Sequence, residues 1–319
     1  MIIILCIVAL FAVVLAGLAG FSSYIAHKVE KALPPRGQFV TIGGDRIHYV
    51  EQGSGPPIVI VHGLGGQLLN FAYLSMADLA RDHRVILIDR PGAGYSTRGA
   101  QSSALITAQA ATVADFIETL KLEQPLLVGH SLGGAIALAV ALNHPRSIGR
   151  LALIAPLSHE EKDPPKVFRG MAIPSPLMRR VIAHTLAVPL SISKGGQIME
   201  VVFGPDAVPQ DFRVRGGGLL GLRPRSFYAA STDMLAIPHD MPTMEARYPT
   251  LQMPLAVLFG RHDQVLDYRR HGEALARKVP HAVLTLVDGG HMLPVTAPAM
   301  TTEWLLAFAG SPSPSPAHA

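Results

Sequence analysis

One cysteine, Cys6, and one tryptophan, Trp304, are all that the 319 residues contain of either type. A lone cysteine excludes an intrachain disulfide and a thiolate metal cluster, so it says nothing about redox compartment. Charge is scarce as well. Asp, Glu, Lys and Arg make up 16% of the chain against 49% hydrophobic residues, a balance that points to membrane contact somewhere. The net charge of +4 is spread along the chain without a Lys/Arg tract, so nucleic-acid binding is not expected. The histidines are scattered, with no H-x-x-x-H or H-E-x-x-H pair, and neither a metal nor a cofactor is expected. A glycine-rich stretch, His62-Gly63-Leu64-Gly65-Gly66, lacks the following lysine of a phosphate-binding loop.

Charged side chains are missing altogether from Met1 to Ala26, and Ile2 to Phe21 is almost wholly Ile, Leu, Val, Ala, Phe and Gly. Twenty such residues in a helix span about 30 Å, the thickness of a bilayer core. An uncleaved transmembrane anchor is the first reading. A cleavable signal peptide is its rival, with Ala16 to Gly20 supplying small residues, although no Lys or Arg precedes the apolar run. His27, Lys28, Lys31 and Arg36 follow the span, but Glu30 dilutes them and the membrane face stays open.

Beyond a linker over residues 27–37, Gln38–Ile42 and Arg46–Val50 alternate around Gly43-Gly44 as a hairpin would. Buried-strand runs follow at Ile58–Val61, Val85–Ile88, Leu126–Val128 and Leu151–Ile154. Helical stretches lie between them at Leu68–Ala80, Ser102–Leu120 and Ser131–Asn143. Strand and helix in alternation predict an α/β fold with a mostly parallel central sheet flanked by helices. The pattern resumes with Leu255–Phe259, Tyr268–Lys278, Val283–Val287 and Ala297–Ala309. The core is therefore split into 38–156 and 251–310, with an insertion over 157–250 too long to lack structure and expected to form a helical lid. The tail, 311–319, opens with alternating serine and proline from Ser311 to Pro316 and is expected to be disordered.

Within the insertion, Met171, Ile173, Leu177, Met178, Val181, Ile182, Leu186 and Val188 form an apolar series. Lys166, Arg169, Arg179, Arg180 and Lys194 flank it, with no acidic residue between Lys166 and Lys194. Such a basic amphipathic segment suits an anionic lipid surface. It equally suits a helix packed on its own core with a solvated basic face.

Four motifs carry chemistry. Gly129-His130-Ser131-Leu132-Gly133 joins a strand to a helix, where a sharp turn lifts a serine hydroxyl above the sheet. Asp288-Gly289-Gly290-His291-Met292 follows the last strand, and His291 there could take and return a proton. Gly260-Arg261-His262-Asp263 ends an earlier strand, and Asp263 could hold the imidazole's tautomer. Asp267 and Asp288 compete with Asp263 for that role; His62 and His130 are expected to support loops, and His262 to point away if Asp263 points in. The fourth motif is His62–Gly66 itself, whose glycines let a backbone N–H turn toward a developing oxyanion.

With these motifs in the order Ser, Asp, His, the chain resembles an α/β-hydrolase over about residues 38–309. That resemblance implies Ser131 as nucleophile, Asp263 and His291 as its partners, and the N–H groups of Leu64 and Leu132 as oxyanion donors. Asp89 to Ser96 resembles a further landmark of the superfamily, assigned here to structure. A serine at the elbow argues against dehalogenases and epoxide hydrolases of this fold, which use aspartate. Carbon–carbon hydrolases of the family usually carry a lid tryptophan, and this lid has none. The anchor and the basic, Met-rich lid favour an acyl ester delivered from lipid at the bacterial inner membrane, and the resemblance extends to membrane-anchored bacterial esterases and lipases. A small-ester esterase, a carbon–carbon hydrolase and a catalytically idle scaffold remain the alternatives. Expected partners are a lipid or small ester and the membrane lipids themselves, with homodimer and monomer both open.

Overall fold

In the computed structural model, which describes residues 1–161 and 166–310, eight strands form one sheet in the order β1-β2-β4-β3-β5-β6-β7-β8. The strands are β1 (Gln38–Ile42), β2 (Asp45–Gln52), β3 (Pro57–Val61), β4 (Arg84–Ile88), β5 (Leu126–His130), β6 (Arg150–Ile154), β7 (Leu255–Gly260) and β8 (Val283–Val287). Only the β1–β2 and β2–β4 pairings are antiparallel. The rest run parallel, as the strand–helix alternation predicts.

Central strands read as continuous apolar runs because both faces of the sheet are covered. Successive side chains of β3 serve two different cores. Val59 and Val61 pack with α3 (Ile106–Thr119) and α4 (Leu132–Asn143), whereas Ile58 and Ile60 pack with α2 (Met76–Asp82) and α11 (Pro298–Gly310). Helix α4 is buried on nearly every side, and its four alternating alanines, Ala135, Ala137, Ala139 and Ala141, let neighbours approach closely.

The stretch expected as one helix from Leu68 to Ala80 is broken. A 3-10 turn covers Leu68–Phe71, and α2 begins only after Ser75, whose hydroxyl caps it. The interruption has a tertiary cause: Leu68 N–H donates to the Asp89 carboxylate (2.8 Å) and the Asn70 amide to the Gly216 carbonyl (2.9 Å). The helix expected from Tyr268 starts as a π-turn over Arg269–Glu273 before α9 (Ala274–Lys278).

The insertion is helical, with α5 (Lys166–Arg169), α6 (Pro176–His184), α7 (Ala187–Phe203) and α8 (Pro224–Arg247). Helix α8 runs through Pro238 and Pro242, each of which removes a backbone donor. Buried Ala236, Met241 and Met244 hold that stretch against the core. Helix α10 (Leu293–Thr296) completes the set.

The N-terminal helix α1 (Ile2–Ala32) has an 18-residue window of mean hydropathy 3.2, none of it buried, and is long and apolar enough to cross a membrane. It outruns the expected anchor. Residues 27–32, read from sequence as linker, continue the helix because its last turns dock on the lid: Val29 is buried, and Arg223 reaches Glu30 at 3.4 Å. The tail assigned to disorder, 311–319, lies outside the described residues.

Candidate active site

Ser131 stands between β5 and α4 with φ +55° and ψ −121°, a backbone conformation uncommon for a residue with a side chain. Neighbours hold it there. Its N–H donates to Ile154 of β6 (3.1 Å), and its carbonyl accepts from Gly134 (2.8 Å) and Leu157 (3.0 Å). The flanking glycines are obligatory on steric grounds. A Cβ on Gly129 would lie 2.4 Å from the Gly133 carbonyl oxygen, and one on Gly133 only 2.2 Å from that of Val61. Leu132 begins α4, so its N–H has no acceptor within the helix.

The loop after β3 lies directly against this turn: a Cβ on Gly63 would fall 2.8 Å from Cβ of Ser131 and 3.2 Å from its hydroxyl. Arg90, fully buried, fixes the loop's orientation. Its Nε donates to the His62 carbonyl (2.9 Å) and Nη2 to the Gly63 carbonyl (2.8 Å). In a planar trans peptide the N–H points opposite to the C=O, so turning the Gly63 carbonyl to Arg90 turns the Leu64 N–H away from it. His62 closes the arrangement. Its Nε2 accepts from Arg90 N–H (3.0 Å), which leaves the proton on Nδ1 to donate to Gly63 (2.8 Å). Burial, and then the Arg90 charge, push its pKa down to about 3, so the ring is neutral in this role.

Asp263 and His291, drawn from the ends of β7 and β8, meet in a buried pair: Nδ1 of His291 lies 2.7 Å from Oδ2 of Asp263. The other carboxylate oxygen accepts from the N–H groups of Val265 (2.7 Å) and Leu266 (2.9 Å). Nδ1 therefore carries the proton, and Nε2 is the basic nitrogen. His130, next to Ser131, brings the two loops together. Its Nε2–H donates to the His291 carbonyl (3.0 Å), and the two rings sit 4.9 Å apart. Burial, with His291 adding to it, lowers the His130 pKa to about 3.

The competing residues go elsewhere. Asp288 is exposed and pairs with His262 at 2.8 Å, so His262 points away from the site while Asp263 points in. Asp267 accepts from Arg269 N–H at the start of the π-turn. Among the described residues no group of three or more His, Cys, Asp or Glu could hold a metal ion.

Sequence reasoning missed how tightly the lid grips this site. Asp233 of α8 takes Nη1 of Arg90 (2.8 Å) and Nη2 of Arg98 (2.6 Å), with Gln109 completing the cluster. Asp206 accepts from Gly290 N–H (3.1 Å), beside His291. A buried ion pair of this kind contributes little net stability, but losing one partner strands a charge. The only signal for it was Arg90 itself, within the Asp89–Ser96 landmark. One of the five cations expected on the lid's basic face, Arg179, is also corrected, while Arg180 and Lys194 are exposed. Arg179 is 6% exposed, its guanidinium donating to the Ile173 carbonyl (2.9 Å) and the Thr232 hydroxyl (2.7 Å), so it faces inward.

Residues 56–298 match the family described as alpha/beta hydrolase fold. The chain is 29% identical over 284 residues to the dihydrolipoyllysine-residue acetyltransferase component of an acetoin cleaving system from Pseudomonas putida, covering 88% of this chain and 70% of the relative. It is 36% identical over 123 residues to a 2-hydroxymuconate semialdehyde hydrolase from Pseudomonas sp. (strain CF600), covering 38% and 44%. Among solved structures it is similar in fold to the enol-lactonase of Burkholderia xenovorans LB400, with TM-score 0.70, 22% identity and coverage of 86% and 100%. A membrane phospholipase A aligns over 97% of this chain and 98% of its own, with TM-score 0.68 and 23% identity. With the sheet order, the elbow and the Asp263–His291 pair alongside these matches, the chain belongs to the alpha/beta hydrolase fold family.

Proposed function

We propose that this protein is a membrane-anchored serine hydrolase that cleaves carboxylic esters, with lipid acyl esters as its substrates. The reading rests above all on one juxtaposition: a strained Ser131, the Gly63 loop against it, and a paired Asp263–His291 tied to the neighbouring His130. In the first half-reaction Nε2 of His291 takes the Ser131 proton while the serine oxygen bonds to the ester carbonyl carbon. The N–H groups of Leu64 and Leu132 hold the resulting oxyanion. The C–O bond to the alcohol then breaks, the alcohol leaving with the proton from His291. Water repeats the sequence on the acyl-serine and releases the carboxylic acid. Asp263 holds the Nδ1 side of the ring and steadies the imidazolium. The long apolar α1 beside the lid supports delivery of substrate from a membrane.

Carbon–carbon bond hydrolysis is the second reading, favoured by the local identity to the semialdehyde hydrolase. One assay separates the two. Purified protein is given p-nitrophenyl acyl esters, a membrane lipid extract and 2-hydroxymuconate semialdehyde, with Ser131→Ala beside it. Ester cleavage is expected to drop by roughly 10⁴-fold or more in the variant, with fatty acids and lyso-products released from the extract by the parent protein alone. Ester turnover kept at the parent rate by Ser131→Ala would refute the assignment. Cleavage of the semialdehyde alone would select the second reading.

A further inference from the structure

Nine large hydrophobic side chains after α1 are exposed among the described residues, and six of them fall between positions 177 and 192: Leu177, Met178, Val181, Leu186, Leu190 and Ile192. An amphipathic helix on a solvated lid would bury these and expose its cations. Here α6 does the opposite at its centre. Leu177 is 73% exposed while the neighbouring Arg179 is anchored inward on Ile173 and Thr232, with its guanidinium over the Tyr228 ring. Those bonds lock the helix with its apolar residues outward, so the exposure is built in.

The patch is continuous with α1. That helix packs against α6, α7, α8 and the turn Gly218–Leu222, and the Ser22 hydroxyl donates to the Thr185 carbonyl at 3.4 Å. Ser22 directly follows Phe21, where the apolar span of about 30 Å ends. Thr185 therefore stands at the level where α1 leaves the hydrocarbon, and Leu186 comes next in the chain. The charges on this exposed surface are of one sign. Arg180 and Lys194 are exposed, and no acidic residue occurs from Lys166 to Met199. Apolar side chains rimmed by cations suit the boundary between acyl chains and anionic headgroups.

We infer that the outer face of α6 and the first half of α7 is a lipid-contact surface, seated in the interface of the same bilayer that α1 crosses. The inference rests on the anchoring reading above and narrows the substrate to acyl esters resident in that interface. The lid would then be held against the leaflet, with the Ser131 site reached from lipid.

The test uses the full chain with Cys6→Ser, reconstituted in vesicles of phosphatidylcholine and phosphatidylglycerol. Single cysteines replace Val13, Leu177, Leu186, Leu190 or Val283 in turn and carry an environment-sensitive fluorophore. Lipids bearing a nitroxide near the headgroup or deep in the acyl chain serve as quenchers. The expected pattern is deep quenching at position 13, shallow quenching with a blue shift at 177, 186 and 190, and neither at 283. Lid labels that emit like position 283 while position 13 is quenched would overturn the inference and leave the anchor standing. Lid labels that are blue-shifted yet unquenched would mean protein, such as a second copy, covers the patch, and would also overturn it. An unquenched position 13 would overturn the anchor and the inference together. Joint Leu186→Glu and Leu190→Glu should lower hydrolysis of vesicle lipid by at least about ten-fold while sparing a soluble short-chain ester. Equal loss on both substrates would count against the surface.

Discussion

The hydrolase core and the lid treat polarity in opposite ways. In the core, Val59 and Val61 turn inward on one face of β3 and Ile58 and Ile60 on the other, and every one of them is sealed from water. In the lid, Arg179 is buried while Leu177, Leu186 and Leu190 face outward. The core's arrangement is what water as solvent demands, since burial of apolar surface drives it. The lid's arrangement is the one that the lipid-contact surface proposed above would require. On that proposal a single chain folds against two solvents; the buried salt bridges of Asp233 lie at the seam between the regions.

That seam offers the sharpest way to test whether lid and core act together. Arg90→Lys keeps a cation for Asp233 but loses the fork that binds the His62 and Gly63 carbonyls. The Gly63–Leu64 peptide would then be free to rotate, removing one oxyanion donor. We expect kcat on p-nitrophenyl esters to fall by roughly 10²-fold with KM little changed and the fold retained, since one such donor is worth about that much. An unchanged kcat would show that Leu64 N–H is not used.

A smaller effect separates the regions by pH. His62 and His130, in the core, are held near pKa 3 against an ordinary 6.5, and His159, at the lid's root, near 4, all chiefly by burial. Between those values the unfolded chain binds protons that the folded chain refuses. Stability is therefore complete above about pH 6.5 and drains away as pH falls toward 3, with no recovery in between. His130→Gln retains a donor for the His291 carbonyl and cannot titrate. It should flatten the dependence of the unfolding midpoint on pH by about one proton. An unaltered slope would mean that His130 is not held neutral.

The contrast also explains what could be read from the sequence. The strands from β3 to β8 and the wholly apolar α4 were legible because local pattern and burial agree, both faces of the sheet being covered. The elbow, the Asp263 turn and the His291 loop were legible because steric demands at Gly129 and Gly133, and at Gly260 and Gly290, leave few residue choices. What escaped was set by distant partners. The break between Leu68 and Met76 depends on Asp89 and Gly216, and the roll of α6 depends on Thr232. No window of local sequence contains those pairs. Helix α8 hid behind Pro238 and Pro242, which local propensity reads as stops.

On the proposed function one hydroxyl, at the elbow, becomes covalently bonded to the substrate's acyl group with His291 as its base. Incubation of the full chain with a fluorophosphonate, followed by peptide mapping by mass spectrometry, tests it most directly. A single adduct on Ser131 is expected, formed far more slowly in His291→Ala and absent in Ser131→Ala. An unmodified Ser131, or an adduct that forms equally fast without the His291 imidazole, would contradict it.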